Sequence, residues 1–210
     1  MQNYAVALIL VDLQVDFMPT GMLPVAEGDL VVPLANALMP QYHTVVATQD
    51  WHPANHGSFA ANHPWRKPGQ VIDLHGLQQV LWPIHCVQNT WGAEFVAGLA
   101  TDRITRVFQK GTDPEVDSYS GFYDNGHRNS TGMAEWLHGQ GIEEVHVLGL
   151  AADFCVKFTV LDALSEGFRT VLVEDATRGV NLTAGNVERA VKEMADAGAD
   201  VVTSDKLLPL

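Results

Sequence analysis

Runs of apolar residues recur along the chain, separated by segments with helical or turn-forming character. The continuous apolar run at residues 5–11 has the pattern of a strand that is buried on both faces of a parallel sheet. Further strands are predicted at 44–48, 106–109, 145–150, 170–173 and 201–203. The pattern therefore predicts six strands, numbered here in chain order.

Helical segments are predicted between these strands. Their approximate ranges are 29–39, 93–99, 133–138, 155–165 and 184–197. We expect Asp29 and Asp153 to cap two of these helices, and Gly167 to end the fourth. The alternation predicts an α/β fold: a doubly wound, mostly parallel six-stranded sheet with helices on both faces. A strand order of 3-2-1-4-5-6 would make strands one and four neighbours.

The stretch from about residue 50 to 91 has neither helical nor strand periodicity, although it contains five of the nine histidines. A long irregular segment inside a compact domain is usually functional. We expect residues 1–210 to form a single domain with a metal-binding loop region at about 50–91. No internal repeat or linker is evident.

Composition narrows the possible partners. The formal net charge of -13 repels nucleic acid and anionic membranes. The first apolar run is too short for a signal core, and no stretch approaches the roughly 20 apolar residues of a membrane span. We therefore expect a cytoplasmic protein, monomeric or homo-oligomeric. Neither a dinucleotide-binding nor a P-loop glycine pattern occurs, which makes a nucleotide cofactor improbable.

Several chemically capable side chains follow the predicted strands. Asp12 follows strand one, Asp50 and His52 follow strand two, Lys110 follows strand three, and Cys155 follows strand four. Ligands bind at the carboxyl ends of strands in such sheets, especially where the strand order reverses. We expect these five residues to share one edge of the sheet.

Cys155 is the candidate nucleophile. Near a helix N-terminus its thiolate would be favoured, and Asp12 could accept the thiol proton. The ammonium of Lys110 would offset the repulsion between the two negative groups. The alternatives are an inert core cysteine and an aspartate that only caps a turn. The other cysteine, Cys86, is interpreted as a packed free thiol.

Asp50 and His52, two positions apart, can point the same way from an extended backbone, and His85 can complete a set of metal ligands. One carboxylate with two histidines leaves coordination positions open for substrate. The expected cofactor is one divalent ion, zinc first, with iron or manganese as alternatives. Scattered surface histidines are the competing interpretation.

Aromatic residues in the loops at this edge could form the walls for a flat ring. They are Phe17, Trp82, Tyr119 and Phe122. The competing interpretation is that they are ordinary core residues.

Six segments in order resemble the nicotinamidases, within the isochorismatase-like cysteine hydrolases. The segments are ALILVDLQVDF (7–17), TQDWHP (48–53), WPIHCV (82–87), KG (110–111), SYSGF (118–122) and GLAADFCV (149–156). Together they span nearly the whole chain. The WPIHCV segment discriminates most sharply, because isochorismatases share the sheet but generally lack this metal motif.

The resemblance assigns Asp12, Lys110 and Cys155 to a catalytic triad. It also assigns Asp50, His52 and His85 to the metal, and leaves open whether His56 reaches the ion. Phe17, Trp82 and Tyr119 are the expected substrate-binding residues. The backbone N–H groups of Ala152 and Cys155 are the expected oxyanion hole, aided by a cis peptide bond between Ala151 and Ala152. Ala152 itself departs from the threonine that relatives often carry.

The implied activity is metal-dependent hydrolysis of nicotinamide to nicotinate and ammonia through a cysteine thioester, in NAD salvage. Pyrazinamide is expected to enter the same pocket. Two alternatives stay open: an isochorismatase-like hydrolase acting on another small amide, and a non-catalytic metal or redox-sensing protein that uses Cys155 as an oxidisable thiol.

Overall fold

The computed structural model describes residues 5–208, which are built around a six-stranded parallel sheet. The strands of this sheet are β1 (Val6–Val11), β2 (Thr44–Asp50), β5 (Arg106–Lys110), β6 (Glu144–Leu150), β7 (Arg169–Arg178) and β8 (Asp200–Val202). They are arranged in the order β5-β2-β1-β6-β7-β8. The predicted order, including the reversal between the first and fourth strands of the sheet, is confirmed.

Four α-helices cover the two faces. They are α1 (Val31–Leu38), α2 (Met133–Gly139), α3 (Lys157–Ser165) and α4 (Asn186–Asp196). Strand β1 shows why both faces need cover, because Leu8 and Leu10 pack into the core beneath α1, whereas Ala7 and Ile9 pack into the core beneath the other three helices. Alternate side chains of a strand point to opposite faces, so a continuous apolar run implies a sheet buried on both sides.

The helix predictions fail in two of three places and hold in the third. No helix forms at 93–99, where the described chain has a short 3-10 turn (Trp91–Ala93) followed by irregular backbone. Asp29 lies within a 3-10 turn and makes no capping hydrogen bond. Gly167 does end α3, with a left-handed φ of 87° that a glycine adopts without strain.

The loop region contains a hairpin that periodicity did not reveal. Strands β3 (Val71–Leu74) and β4 (Leu77–Val80) pair antiparallel and form a separate two-stranded sheet. Four-residue strands with mixed polarity give too short a pattern to stand out from loop. Within residues 5–208, no helix is long and apolar enough to cross a bilayer.

The end of β6 approaches β1 closely just before the candidate nucleophile. Gly149 has a φ of 124°, and a Cβ at this position would collide with the Val11 carbonyl. The following peptide bond, Leu150–Ala151, is cis. The bond expected to be cis was Ala151–Ala152, so that expectation was displaced by one residue.

Candidate active site

Four buried polar side chains meet at the carboxyl edge of the sheet. Asp12 directly follows β1, Asp50 ends β2 and Lys110 ends β5, where these last two residues are register partners. Cys155 lies in the turn that follows β6. All four are at most 7% exposed, so their charges interact with little screening by water.

The Lys110 ammonium is the centre of this cluster. Its Nζ lies 2.9 Å from Asp12 Oδ2 and 2.5 Å from Asp50 Oδ1, and it donates to the Ser118 carbonyl at 2.9 Å. The Cys155 Sγ is 3.4 Å away. Burial alone would lower the pKa of Lys110, but the two carboxylates outweigh it and raise that pKa well above its usual value. The side chain therefore stays a cation.

Asp12 is held from its other side by Thr48, whose hydroxyl donates to Asp12 Oδ1 at 2.6 Å and accepts the Asp12 backbone N–H at 3.2 Å. Its pKa is raised by burial and by the Asp50 charge, and this outweighs the attraction of Lys110. A carboxylate with a raised pKa is a better proton acceptor than a surface aspartate.

The ionisation of Cys155 differs from the expectation that its position near a helix N-terminus would favour the thiolate. It lies within a π-helical turn (Ala152–Val156) that precedes α3, and its pKa is raised well above the usual value. Burial is the largest cause, and Asp12 and Asp50 add to it, so the opposing effects of Lys110 and of the turn do not prevail. The resting group is a neutral thiol, which requires a base before it can attack.

The prediction that Asp153 caps the following helix was wrong. Asp153 does not cap a helix; its carboxylate accepts the backbone N–H groups of Val180 and Asn181 at 2.9 and 2.8 Å. Asp153 thereby ties the segment after β7 to the nucleophile turn. Within that turn the Ala151 carbonyl accepts the N–H groups of Phe154 and Val156, on either side of Cys155.

Asp50, His52 and His85 present a donor set that fits a divalent metal. Asp50 Oδ2 lies 3.5 Å from His52 Nε2 and 3.7 Å from His85 Nε2. Each ring has its Nδ1 2.8 Å from a backbone carbonyl, that of Gly111 or Pro83. A carbonyl can only accept, so each Nδ1 donates a proton, and each Nε2, on the side of Asp50, is the nitrogen that a neutral ring would offer to a metal.

His56 differs from these two histidines. Its Nδ1 accepts the Ser58 backbone N–H at 3.2 Å and lies 2.7 Å from the Ser58 hydroxyl. Burial lowers the pKa of His56 to about 4, so the ring is neutral and its proton is on Nε2. That nitrogen is buried without a hydrogen-bond partner among the described residues, and His56 forms a second possible donor set with His52 and Asp117.

A cavity that opens to solvent, with about 350 Å³ of empty space including its mouth, connects the thiol to the donor set. Phe17, Trp82 and Tyr119 line it as expected. Phe122 does not; it is fully buried and stacks on Phe168 in the core. The other lining residues are Leu23, Asp50, His52, His85, Asp117, Ala151, Phe154, Cys155 and Val180.

Two supporting residues were not identified from the sequence. Thr48 holds Asp12, and Gln14 fixes the backbone of Asp50 by accepting its N–H and donating to its carbonyl, both at 2.8 Å. Thr48 precedes Asp50 by two positions on one strand, so a shared face was a signal available in the sequence. For Gln14, as for Asp117 and Phe154 in the cavity wall, the contacts exist only after folding.

A family model, the isochorismatase domain, matches residues 6–206. The chain belongs to the isochorismatase family. This isochorismatase-family protein is 50% identical over 204 residues to a nicotinamidase of Escherichia coli strain K12, covering 94% of each chain.

Two solved structures are similar to this isochorismatase-family protein along their whole length. A nicotinamidase and pyrazinamidase of Acinetobacter baumanii has a TM-score of 0.96 at 43% identity, over 99% of this chain and 100% of that one. A pyrazinamidase of Pyrococcus horikoshii in complex with zinc has a TM-score of 0.77 at 39% identity, over 95% of this chain and 99% of that one.

Proposed function

We propose that the protein is a nicotinamidase, which hydrolyses nicotinamide to nicotinate and ammonia. The observation that carries the proposal is the single cavity in which a thiol with a buried proton acceptor faces a carboxylate and two histidines. The nicotinamidase relatives at high identity support the same activity. We further propose a cytoplasmic location and a role in returning nicotinamide to the NAD pool.

In the first half of the reaction, Asp12 accepts the Cys155 proton and Sγ attacks the carboxamide carbon. Lys110 remains a cation throughout and stabilises the negative charge that passes between these two groups. The backbone N–H groups of Ala152 and Cys155 are proposed to hold the oxyanion; the loss of one such donor costs about 10² to 10³ in rate elsewhere. The C–N bond then breaks, and Asp12 returns the proton to the departing ammonia.

In the second half, a water molecule gives a proton to Asp12 and its oxygen attacks the thioester carbonyl. The C–S bond breaks, Asp12 returns its proton to the sulfur, and the carboxylic acid that forms loses its remaining proton to solvent and leaves as nicotinate. Phe17, Trp82 and Tyr119 are proposed to contact the ring during both halves, because they form the apolar walls of the cavity.

Asp50, His52 and His85 would hold the metal. A bound divalent ion would supply Lewis-acid coordination of the ring nitrogen and so orient the substrate. We propose zinc as the native ion, with iron and manganese as alternatives that the same ligands accept. Gly111 and Pro83 orient the two imidazoles through their carbonyls, and Gln14 fixes the Asp50 backbone.

The direct test is ammonia release from nicotinamide by the purified protein, before and after chelation. We expect turnover by the metal-replete protein and loss of it after chelation, followed by recovery on adding back zinc, iron or manganese. Pyrazinamide, a flat azine amide, is expected to be hydrolysed as well. Metal-replete, folded protein that releases no ammonia from nicotinamide would refute the proposal.

Gly111 offers a second test, because its carbonyl accepts a hydrogen bond from His52 Nδ1 and its backbone lies against the His52 ring. A Cβ at Gly111 would collide with His52 Cε1 and Nδ1. We expect Gly111→Ala to lower metal affinity about tenfold or more, as the loss of supporting contacts around ligands does elsewhere. Competition for the metal against a chromophoric chelator measures this directly.

The matched control is Gly141→Ala. Gly141 has a similar left-handed φ, 72° against 64°, but nothing lies within 4 Å of a Cβ built there. Both variants carry the strain of a left-handed alanine, and only Gly111→Ala displaces His52. Equal metal affinities in the two variants would contradict the assigned role of His52.

The alternative role as a thiol-based redox sensor is not favoured. A sensor cysteine needs a low pKa and solvent access. Cys155 has a raised pKa and is 7% exposed. Its neighbours suit proton transfer to a leaving group.

A further inference from the structure

Hairpin β3–β4 carries one buried polar side chain that the mechanism does not use. Gln79 is 2% exposed, although its neighbour Gln78 is exposed and Val71 on the paired strand is 53% exposed. A glutamine is rarely buried without partners, because its amide loses hydrogen bonds to water. The partners of Gln79 therefore indicate what the hairpin holds in place.

The Gln79 amide nitrogen contacts three acceptors. It lies 2.7 Å from its neighbour's carbonyl, Val80 O, 2.9 Å from Asp117 Oδ2 and 3.2 Å from the Tyr119 hydroxyl oxygen. Asp117 and Tyr119 both line the catalytic cavity. The hairpin thus reaches the cavity wall through a single donor group.

The contact with Tyr119 extends to a second wall residue. The indole N–H of Trp82 donates to the same Tyr119 hydroxyl oxygen at 3.2 Å. Both rings also pack edge to face against the Phe154 ring. The distance from its centroid is 4.9 Å to the Trp82 ring and 5.4 Å to the Tyr119 ring. The orientation of three cavity-lining rings is thereby linked to one hydroxyl group.

We propose that Gln79 is a positioning residue of this site, which sets the affinity for the substrate ring by holding the Tyr119 hydroxyl and the Asp117 carboxylate. The expected change in KM rests on the proposed function, whereas the hydrogen bonds made by Gln79 do not. Gln79 itself does not line the cavity, so it acts through its two partners.

The chemistry explains why an amide suits this position. Asp117 is 3% exposed, and its other oxygen accepts the Ser118 N–H at 2.8 Å. Without the donor of Gln79, the second oxygen would lose a charge-assisted hydrogen bond and be free to turn toward His52 and His56, whose ring nitrogens include atoms within 4.8 Å of an Asp117 oxygen. Glutamine supplies that donor without adding a charge beside the carboxylate.

The first experiment compares Gln79→Met with Gln78→Met on the same strand. Methionine keeps the length of the side chain and removes the donor. We expect Gln79→Met to raise KM for nicotinamide about tenfold with kcat within about threefold of the parent, because a hydrogen bond to a charged group is lost away from the reacting atoms. Gln78→Met, at the exposed neighbour, is expected to leave both constants unchanged.

A double-variant cycle separates positioning from loss of hairpin packing. If Gln79 acts through the hydroxyl, Tyr119→Phe should already remove part of its effect, so the KM of Gln79→Met/Tyr119→Phe should be less than the product of the single effects. Fully multiplicative effects on KM would overturn the proposal. So would a Gln79→Met variant with the parent KM.

A spectroscopic readout does not depend on catalysis. The protein has five tryptophans, and the indole N–H resonance of Trp82 can be assigned with Trp82→Phe. We expect Gln79→Met to shift that resonance and speed its exchange with solvent, whereas Gln78→Met does neither. An unmoved Trp82 resonance would overturn the proposal even if nicotinamide proved to be the wrong substrate, and a parent without ammonia release would affect only the proposed function.

Discussion

Cys155→Ala is expected to reduce ammonia release from nicotinamide by about 10⁴-fold or more, the scale on which removal of an enzyme nucleophile lowers turnover. The thiol lines the cavity and lies 3.4 Å from the Lys110 Nζ, and alanine leaves no atom that can form the thioester. Bound metal should persist, because Asp50, His52 and His85 are unchanged. Steady-state kinetics together with metal analysis of the same sample checks both expectations.

Cys86→Ala is the matched control for the loss of a thiol. Cys86 is fully buried beside His85, and its Sγ makes only a long contact, 3.9 Å to the Gly92 carbonyl. Burial raises the pKa of Cys86 as well, so a raised pKa alone does not distinguish the two thiols. We expect this variant to retain kcat within a few-fold. Substantial residual turnover by Cys155→Ala would exclude the thiol mechanism and favour metal-activated water.

Lys110→Met should produce the largest loss of stability of any single change at this site. The lysine side chain is fully buried between Asp12 and Asp50, and methionine of similar length removes the cation that is paired with both carboxylates. Breaking a buried ion pair from one side costs about 3 to 5 kcal/mol in free energy of unfolding. Urea denaturation measures the loss, and turnover should disappear in whatever fraction remains folded.

Two further variants make this prediction specific. Lys110→Met/Asp12→Asn removes one of the two carboxylates left without a partner, and should recover at least about 1 kcal/mol relative to Lys110→Met. Lys192→Met breaks an exposed pair with Asp196 on α4, and should stay within about 0.5 kcal/mol of the parent. A double variant no more stable than Lys110→Met would show that burial of unpaired charge is not the cause.

The central strands were predictable because they are largely apolar, as is required when both faces of a parallel sheet are buried. Val6–Val11 and Glu144–Leu150 illustrate this, since the first is buried throughout and the second is buried in all but its first residue. The positions of Asp12, Asp50 and Lys110 followed, because right-handed connections bring the carboxyl ends of parallel strands to one edge.

The predicted features that failed depended on contacts rather than on local pattern. Asp153 has the composition of a cap, yet its carboxylate binds the backbone of Val180 and Asn181, residues far along the chain. The stretch at 93–99 has residues that favour a helix, but its backbone groups bond to distant residues. The Val96 N–H donates to the Leu13 carbonyl, and the Ala93 carbonyl accepts from the Gln14 side chain. Local propensity gives way to such long-range hydrogen bonds.

By itself, the sequence determined the parallel sheet and the residues that follow its strands, since these come from periodicity and from the alternation of strands and helices, whereas the strand order was a hypothesis that the structure confirmed. Only the tertiary structure decided how those residues behave. Burial makes Cys155 a neutral thiol, the Nδ1 of His56 accepts a hydrogen bond from Ser58, and Gln79 reaches Asp117 from a hairpin without a sequence signature. Protonation and orientation depend on solvent exclusion and on neighbours brought together by folding, and neither is encoded in local pattern.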